Sequence, residues 1–214
     1  ALDNININIQ KWSVYWFIWP NVSWKSTTLK IISSLIKKSS WDILFDWKKS
    51  NINSLNNISF LLEPNLYLNN TWFENLEIHR LLNNHISKNK IKELLELVWL
   101  DNNAAKKLVN NYSLWMKQRL WIAICLMKSP KLLILDEPTN WLYINWIIEL
   151  RELIIKLKNL WTTIVISSHN LPEIQKACTH VGVIYSWVMK FEWTLENYMS
   201  HWDDIENIFI KLTA

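Results

Sequence analysis

The chain has 214 residues, half of them hydrophobic and a fifth charged, with a formal net charge of +4. That length and balance suit one globular domain with a real core and exclude a disordered chain. The small surplus of positive charge is scattered, so no nucleic-acid partner is expected, and no apolar run is long enough to cross a bilayer.

Val14–Ile18 reads as a short buried strand, followed by a polar loop and an apolar helix from about Lys25 to Leu35. Asp42–Phe45 and Ile58–Leu62 read as further strands. Residues 73–110 have helical period, clearest over Lys90–Val98, and Met116–Met127 is another helix. Lys131–Leu135 is an apolar strand, Ile147–Leu157 a helix and Thr162–Ser167 a β-branched strand. Val181–Ile184 and Val188–Phe191 read as a hairpin turning at Ser186-Trp187. Strands alternating with helices predict a largely parallel α/β sheet, and the helical middle predicts an inserted lobe. Cys125 and Cys178 lack metal or redox spacing and read as buried thiols; with no secretory signal at the start, a cytosolic chain is expected.

Two counts are abnormal. Glycine occurs once and tryptophan sixteen times, against an average glycine usage of about 7 %. Turns and helix ends need residues tolerant of positive φ, and tryptophan is not one.

The strongest motif is KLLILDEPTN, residues 131–140. A buried strand ending in two acids sets both carboxylates at the carboxyl edge of a parallel sheet, where ligands bind. Asp136 would hold Mg²⁺, directly or through water, and Glu137 would polarise an attacking water. Residues 19–27 carry the spacing of a phosphate-binding loop, with Lys25, Ser26 and Thr27 at its end. Both of its required glycines are tryptophan, Trp19 and Trp24, although the backbone there must wrap phosphate with its N–H groups. A third motif, Asn111–Leu120, precedes a helix upstream of the acidic strand.

In this order, the loop, the helical middle, Ser113 to Arg119, LILDEPTN and Ser167-Ser168-His169 resemble the ATP-binding subunits of ABC transporters. The resemblance implies a P-loop NTPase (RecA-like) parallel-sheet core, residues 1–72 and 128–200, with a helical lobe at about 73–127. It implies ATP and Mg²⁺ as ligands and a head-to-tail dimer with a second ATPase subunit. It further implies a transmembrane permease partner and a peripheral place on the cytoplasmic face of the membrane. By the same resemblance Asn21, Ser23, Lys25, Ser26 and Thr27 bind phosphate, and Ser26, Asp136 and Glu63 serve the metal. Glu137 and His169 are catalytic, and Ser113 and Trp115 face the nucleotide of the opposite subunit. Leu114, with Met116 to Arg119 following Trp115, is similar to the bacitracin-resistance and lantibiotic-immunity exporters. Measured against the family, the chain is expected to lack the first strand and the adenine-stacking aromatic.

Trp12, Trp16, Trp19, Trp24, Trp115, Trp121, Trp141, Trp187 and Trp193 fall at family glycine positions, and the other seven are assigned with them. A decoding mismatch accounts for this pattern: UGA codons meant as glycine, in an AT-rich gene, read as tryptophan. Val22, also at a family glycine, and Tyr143, at a family aspartate, lie outside that rule. The rival readings are a catalytically silent subunit with literal tryptophans, and a soluble ABC ATPase unconnected to transport. A generic P-loop kinase would not need Tyr112–Arg119 or His169.

Overall fold

The computed structural model describes residues 6–18, 22–33, 35–36, 42–49, 56–61, 66–83, 86–100, 104, 107–140, 143–168, 175–185 and 188–197. In chain order these form β1 (Val14–Ile18), α1 (Val22–Ile32), β2 (Leu44–Phe45), β3 (Lys48–Lys49), β4 (Ile58–Leu61), α2 (Trp72–Leu81) and α3 (Asn89–Leu97). There follow α4 (Leu114–Leu126), β5 (Leu132–Asp136), α5 (Ile144–Asn159), β6 (Thr163–Ser167), β7 (His180–Tyr185) and β8 (Val188–Thr194).

Six strands make one sheet in the order β4-β5-β6-β1-β7-β8. Every pairing is parallel except β7 with β8. The central strands are buried along their length, which is why VYWFI, LLILD and TIVIS read as apolar runs without alternation. Successive side chains of β1 serve opposite faces. Val14, Trp16 and Ile18 join the core under α4 and α5, whereas Tyr15 and Phe17 pack with Leu29 of α1. Both sheet faces are therefore covered by helices, as a parallel sheet requires.

Strands β1, β4, β5, β6 and β7 meet the expectations from sequence to within a residue, β8 runs three residues past its expected end at Phe191, and three further segments differ. Helix α1 starts at Val22, so Val22 to Trp24 are helical instead of forming a loop before Lys25. Residues 73–110 form two helices, and α3 ends at Leu97; beyond it Leu108 bridges Thr71 and Val109–Asn111 is one 3₁₀ turn. The strand expected at Asp42–Phe45 is a two-residue arm of a small hairpin.

Gly182 lies in β7, directly beneath the ring of Tyr15, and a Cβ there would collide with the phenol oxygen. Tyr15 crosses this gap to donate to Glu192 at 2.7 Å, and burial together with that carboxylate pushes its phenol pKa up. Gly182→Ala is expected to displace Tyr15 and cost about 1–3 kcal/mol by overpacking. Urea denaturation of the two proteins measures it, and equal midpoints would show that the ring has room to move. Burial likewise pushes the Cys125 thiol up to about 12 and Cys178 higher still, so both behave as inert core thiols.

Candidate functional site

Strands β1 and β5 flank β6, and their register levels the carboxyl ends. Phe17 stands opposite Ser167, and Ser167 opposite Asp136. The segment expected to hold phosphate leaves β1 just after Ile18, so it emerges at the edge that carries Asp136 and Glu137. Sequence places these pieces more than a hundred residues apart, and only the crossover order of the sheet joins them.

Ser167 ties the edge together. Fully buried, it donates its hydroxyl to Asp136 Oδ1 at 2.5 Å. It also accepts the Glu137 N–H twice, on Oγ at 2.9 Å and on its carbonyl at 3.0 Å. These bonds hold Glu137 at φ 48°, a left-handed conformation that a side chain with a Cβ adopts only when its surroundings impose it. The chain turns at once: the Asn140 N–H reaches the Glu137 carbonyl at 3.2 Å, and the Thr139 and Ser168 hydroxyls meet at 2.8 Å. The acidic pair is thus fastened to β6 by three bonds, all to Ser167. The Trp16 indole N–H donates to the Ser168 carbonyl at 3.2 Å from below.

Of the phosphate-loop residues, Ser23, Lys25 and Ser26 lie on the α1 backbone, and Thr27 is half-buried one position on. Asn21, Glu63 and His169 lie outside the described residues, although His169 directly follows Ser168 in the chain.

Ser113 caps α4. It has extended backbone, and its Oγ accepts the Met116 N–H at 3.2 Å. Ser113 and Leu114 are exposed, leaving the positive end of α4 open to solvent. Trp115 does not share that exposure. Its indole is buried and donates to Glu149 Oε2 at 2.6 Å, so its side chain does not reach outward as a group facing another subunit should. Tyr143 sits at the N-cap of α5 with no side-chain cap bond, 73 % exposed, where a short acidic side chain would have satisfied a helix N–H.

One cluster was not legible in the sequence. Arg119 pairs with Glu149 of α5, donates to the Trp99 carbonyl just past α3 at 2.6 Å, and lies 4.8 Å over the Trp115 ring. A single guanidinium therefore fastens three helices. Arg119→Met is expected to cost about 1–3 kcal/mol, since it strips a partly buried carboxylate and a helix-end carbonyl of a charged donor. Urea unfolding measures the loss, and an unchanged midpoint would show the clamp to be idle.

Among the described residues no three His, Cys, Asp or Glu side chains cluster as a metal site, and no helix is long and apolar enough to cross a membrane.

Comparison with known proteins bears on this geometry. The family model described as ABC transporter matches residues 2–140. The chain is 44% identical over 185 residues to the lantibiotic transport ATP-binding protein SrtF of Streptococcus pyogenes, covering 86% of this chain and 80% of that protein. It is 43% identical over 190 residues to the bacitracin transport ATP-binding protein BcrA of Bacillus licheniformis, of whose length it spans 62%. Among solved structures, cbiO1 from Clostridium perfringens, part of the ABC transporter complex cbiONQ, superposes with a TM-score of 0.83 at 23% identity, over 94% of this chain and 84% of that one. A dimeric bacterial ABC transporter cassette superposes at 0.77 with 25% identity, over 91% and 90% of the two chains.

Proposed function

This chain belongs to the ABC transporter family as an ATP-binding ATPase subunit, and we propose that it powers export of a peptide antibiotic or a similar amphiphile through a membrane permease. The observation that carries the catalytic reading is the levelled edge of β1, β6 and β5, with Glu137 held at φ 48° beside Asp136. The relatives' roles in lantibiotic and bacitracin transport support the substrate class, and they turn the reading away from a soluble ATPase unconnected to transport.

In this mechanism Lys25 neutralises the phosphates, while Asn21, Ser23 and Thr27 position them at the start of α1. Phosphoryl transfer asks little covalent chemistry of a protein, so positioning and charge carry the rate. Glu137 orients the attacking water and takes up its proton, and His169, one residue beyond Ser168, contacts the terminal phosphate. Asp136 and Ser26, with Glu63, offer the hard oxygen donors that suit Mg²⁺. Held there, such an ion would supply charge neutralisation of the phosphates.

Ser113, at the open positive end of α4, serves the nucleotide of the opposite subunit in a head-to-tail dimer. The core comprises residues 1–72 and 128–200 and the helical lobe about 73–127, with the subunit peripheral on the cytoplasmic face of the membrane. Phosphate release from ATP by the purified chain bearing glycine at its sixteen tryptophan positions tests the enzymatic reading, and no turnover above buffer would overturn it. Deleting the gene and measuring lantibiotic sensitivity of the cells tests the substrate class, and unchanged sensitivity would reject it.

A second reading, a catalytically silent subunit, is favoured by one observation. Helix α1 begins at Val22, with Trp24 wound into it where a loop should cradle phosphate.

A further inference from the structure

Seven residues other than glycine have positive φ among the described residues, and four of them are tryptophan: Trp12 at 60°, Trp47 at 62°, Trp99 at 53° and Trp161 at 66°. Sixteen tryptophans in 214 residues do not produce that share by chance. Each of the four sits in a motif whose backbone calls for glycine. Trp99 follows α3, with its own N–H on the Glu96 carbonyl and the next N–H, of Leu100, on the Leu95 carbonyl. Trp161 follows α5 in the same way, its N–H on Lys158 and that of Thr162 on Leu157. These are Schellman motifs with tryptophan at the left-handed position that glycine ordinarily fills.

Asp46 and Trp47 form the two-residue loop of the β2–β3 hairpin, both with positive φ, which is the type I′ turn that favours Asp-Gly. Trp12 is the third residue of a turn closed by the Ser13 N–H on Gln10, where a type II turn requires positive φ.

The indoles make modest contacts at these places: Trp12 and Trp161 meet edge-to-face at 4.8 Å, and the Lys156 ammonium lies 5.7 Å over the Trp99 ring. Trp12 is 50%, Trp47 83% and Trp161 68% exposed, so the largest apolar side chain faces water while its backbone is strained. Trp72 is buried, yet its indole Nε1 finds no hydrogen-bond acceptor among the described residues.

We infer that the tryptophans of this sequence stand at glycine positions of the working polypeptide. The natural protein carries glycine at 12, 47, 99 and 161 and, by one decoding rule, at the phosphate-loop and signature positions 19, 24 and 115. The four backbone sites carry this inference without reference to ATP hydrolysis, so it stands or falls apart from the proposed function.

Two measurements test it. Peptide mass spectrometry of the protein from its own cells is expected to show glycine at 99 and 161, from UGA codons. Tryptophan in those peptides, or UGG codons in the gene, overturns the inference. In the full recombinant chain, Trp→Gly at 12, 47, 99 and 161 is expected to raise the melting temperature by about 2–8 °C per site. Trp→Ala at the same sites removes the indole but keeps the Cβ, and it is expected to recover little. Equal gains from Ala and Gly, or none from either, overturn the backbone argument; should the recombinant chain not fold, the peptide masses still decide.

Discussion

Glu137→Gln, made in the chain with glycine at all sixteen tryptophan positions, is expected to leave ATP binding intact and slow hydrolysis about 10²–10⁴-fold. The side chain is nearly isosteric, and the turn that holds it depends on the backbone: the Glu137 N–H bonds to Ser167 survive the change. Only the carboxylate that accepts a proton from water is lost. Nucleotide binding followed by fluorescence, beside single-turnover hydrolysis, separates the two steps. Equal turnover in mutant and parent would remove Glu137 from the chemistry and leave positioning by Lys25 as the main source of rate. A fall in ATP affinity as large as the fall in turnover would instead mean that the φ 48° turn had collapsed.

The second large effect concerns the start of α1. In the tryptophan-bearing chain, replacing Trp19 and Trp24 by glycine is expected to tighten ATP binding by at least about 10²-fold, from no measurable binding into the ordinary micromolar to millimolar range. With Val22 to Trp24 wound into α1, their N–H groups follow the helix axis and do not wrap a phosphate. Glycine disfavours helix and admits the φ values that a phosphate cradle needs. Restoring it is expected to shorten α1 toward Lys25 and free the backbone donors. Calorimetric titration with ATP measures this directly. If both proteins bind alike, the tryptophans do not obstruct the site. If neither binds, Val22, which no decoding rule converts, becomes the residue to replace next.

Much of this fold is legible in the sequence. The buried strands announced themselves as apolar runs, because both faces of a parallel sheet are covered. Asp136 and Glu137 declared their edge by following four apolar residues, and Ser113 declared a helix start by its type and place. Less legible were segments whose form depends on neighbours. The helical period of 73–110, clearest over Lys90–Val98, carried no glycine to mark the stop of α3 at Leu97, since Trp99 holds the left-handed position. The hairpin at residues 44–49 was hidden for the same reason: Asp-Gly is a turn, and Asp46-Trp47 does not read as one.

By itself, then, the sequence determined the class of fold and the family the chain resembles, and it nominated the residues proposed to carry chemistry. These are properties of local pattern and spacing. Only the tertiary structure decided that Ser167 is the knot joining Asp136 and Glu137 to β6, that Arg119 clamps three helices, and that Trp115 faces inward. Those facts depend on which strands and helices become neighbours, and neighbours far apart in sequence leave no period to read. The tryptophans needed both sources. Composition marked them as anomalous, and the backbone showed why: at four of them the chain turns through a left-handed conformation in which a Cβ, let alone an indole, is a burden.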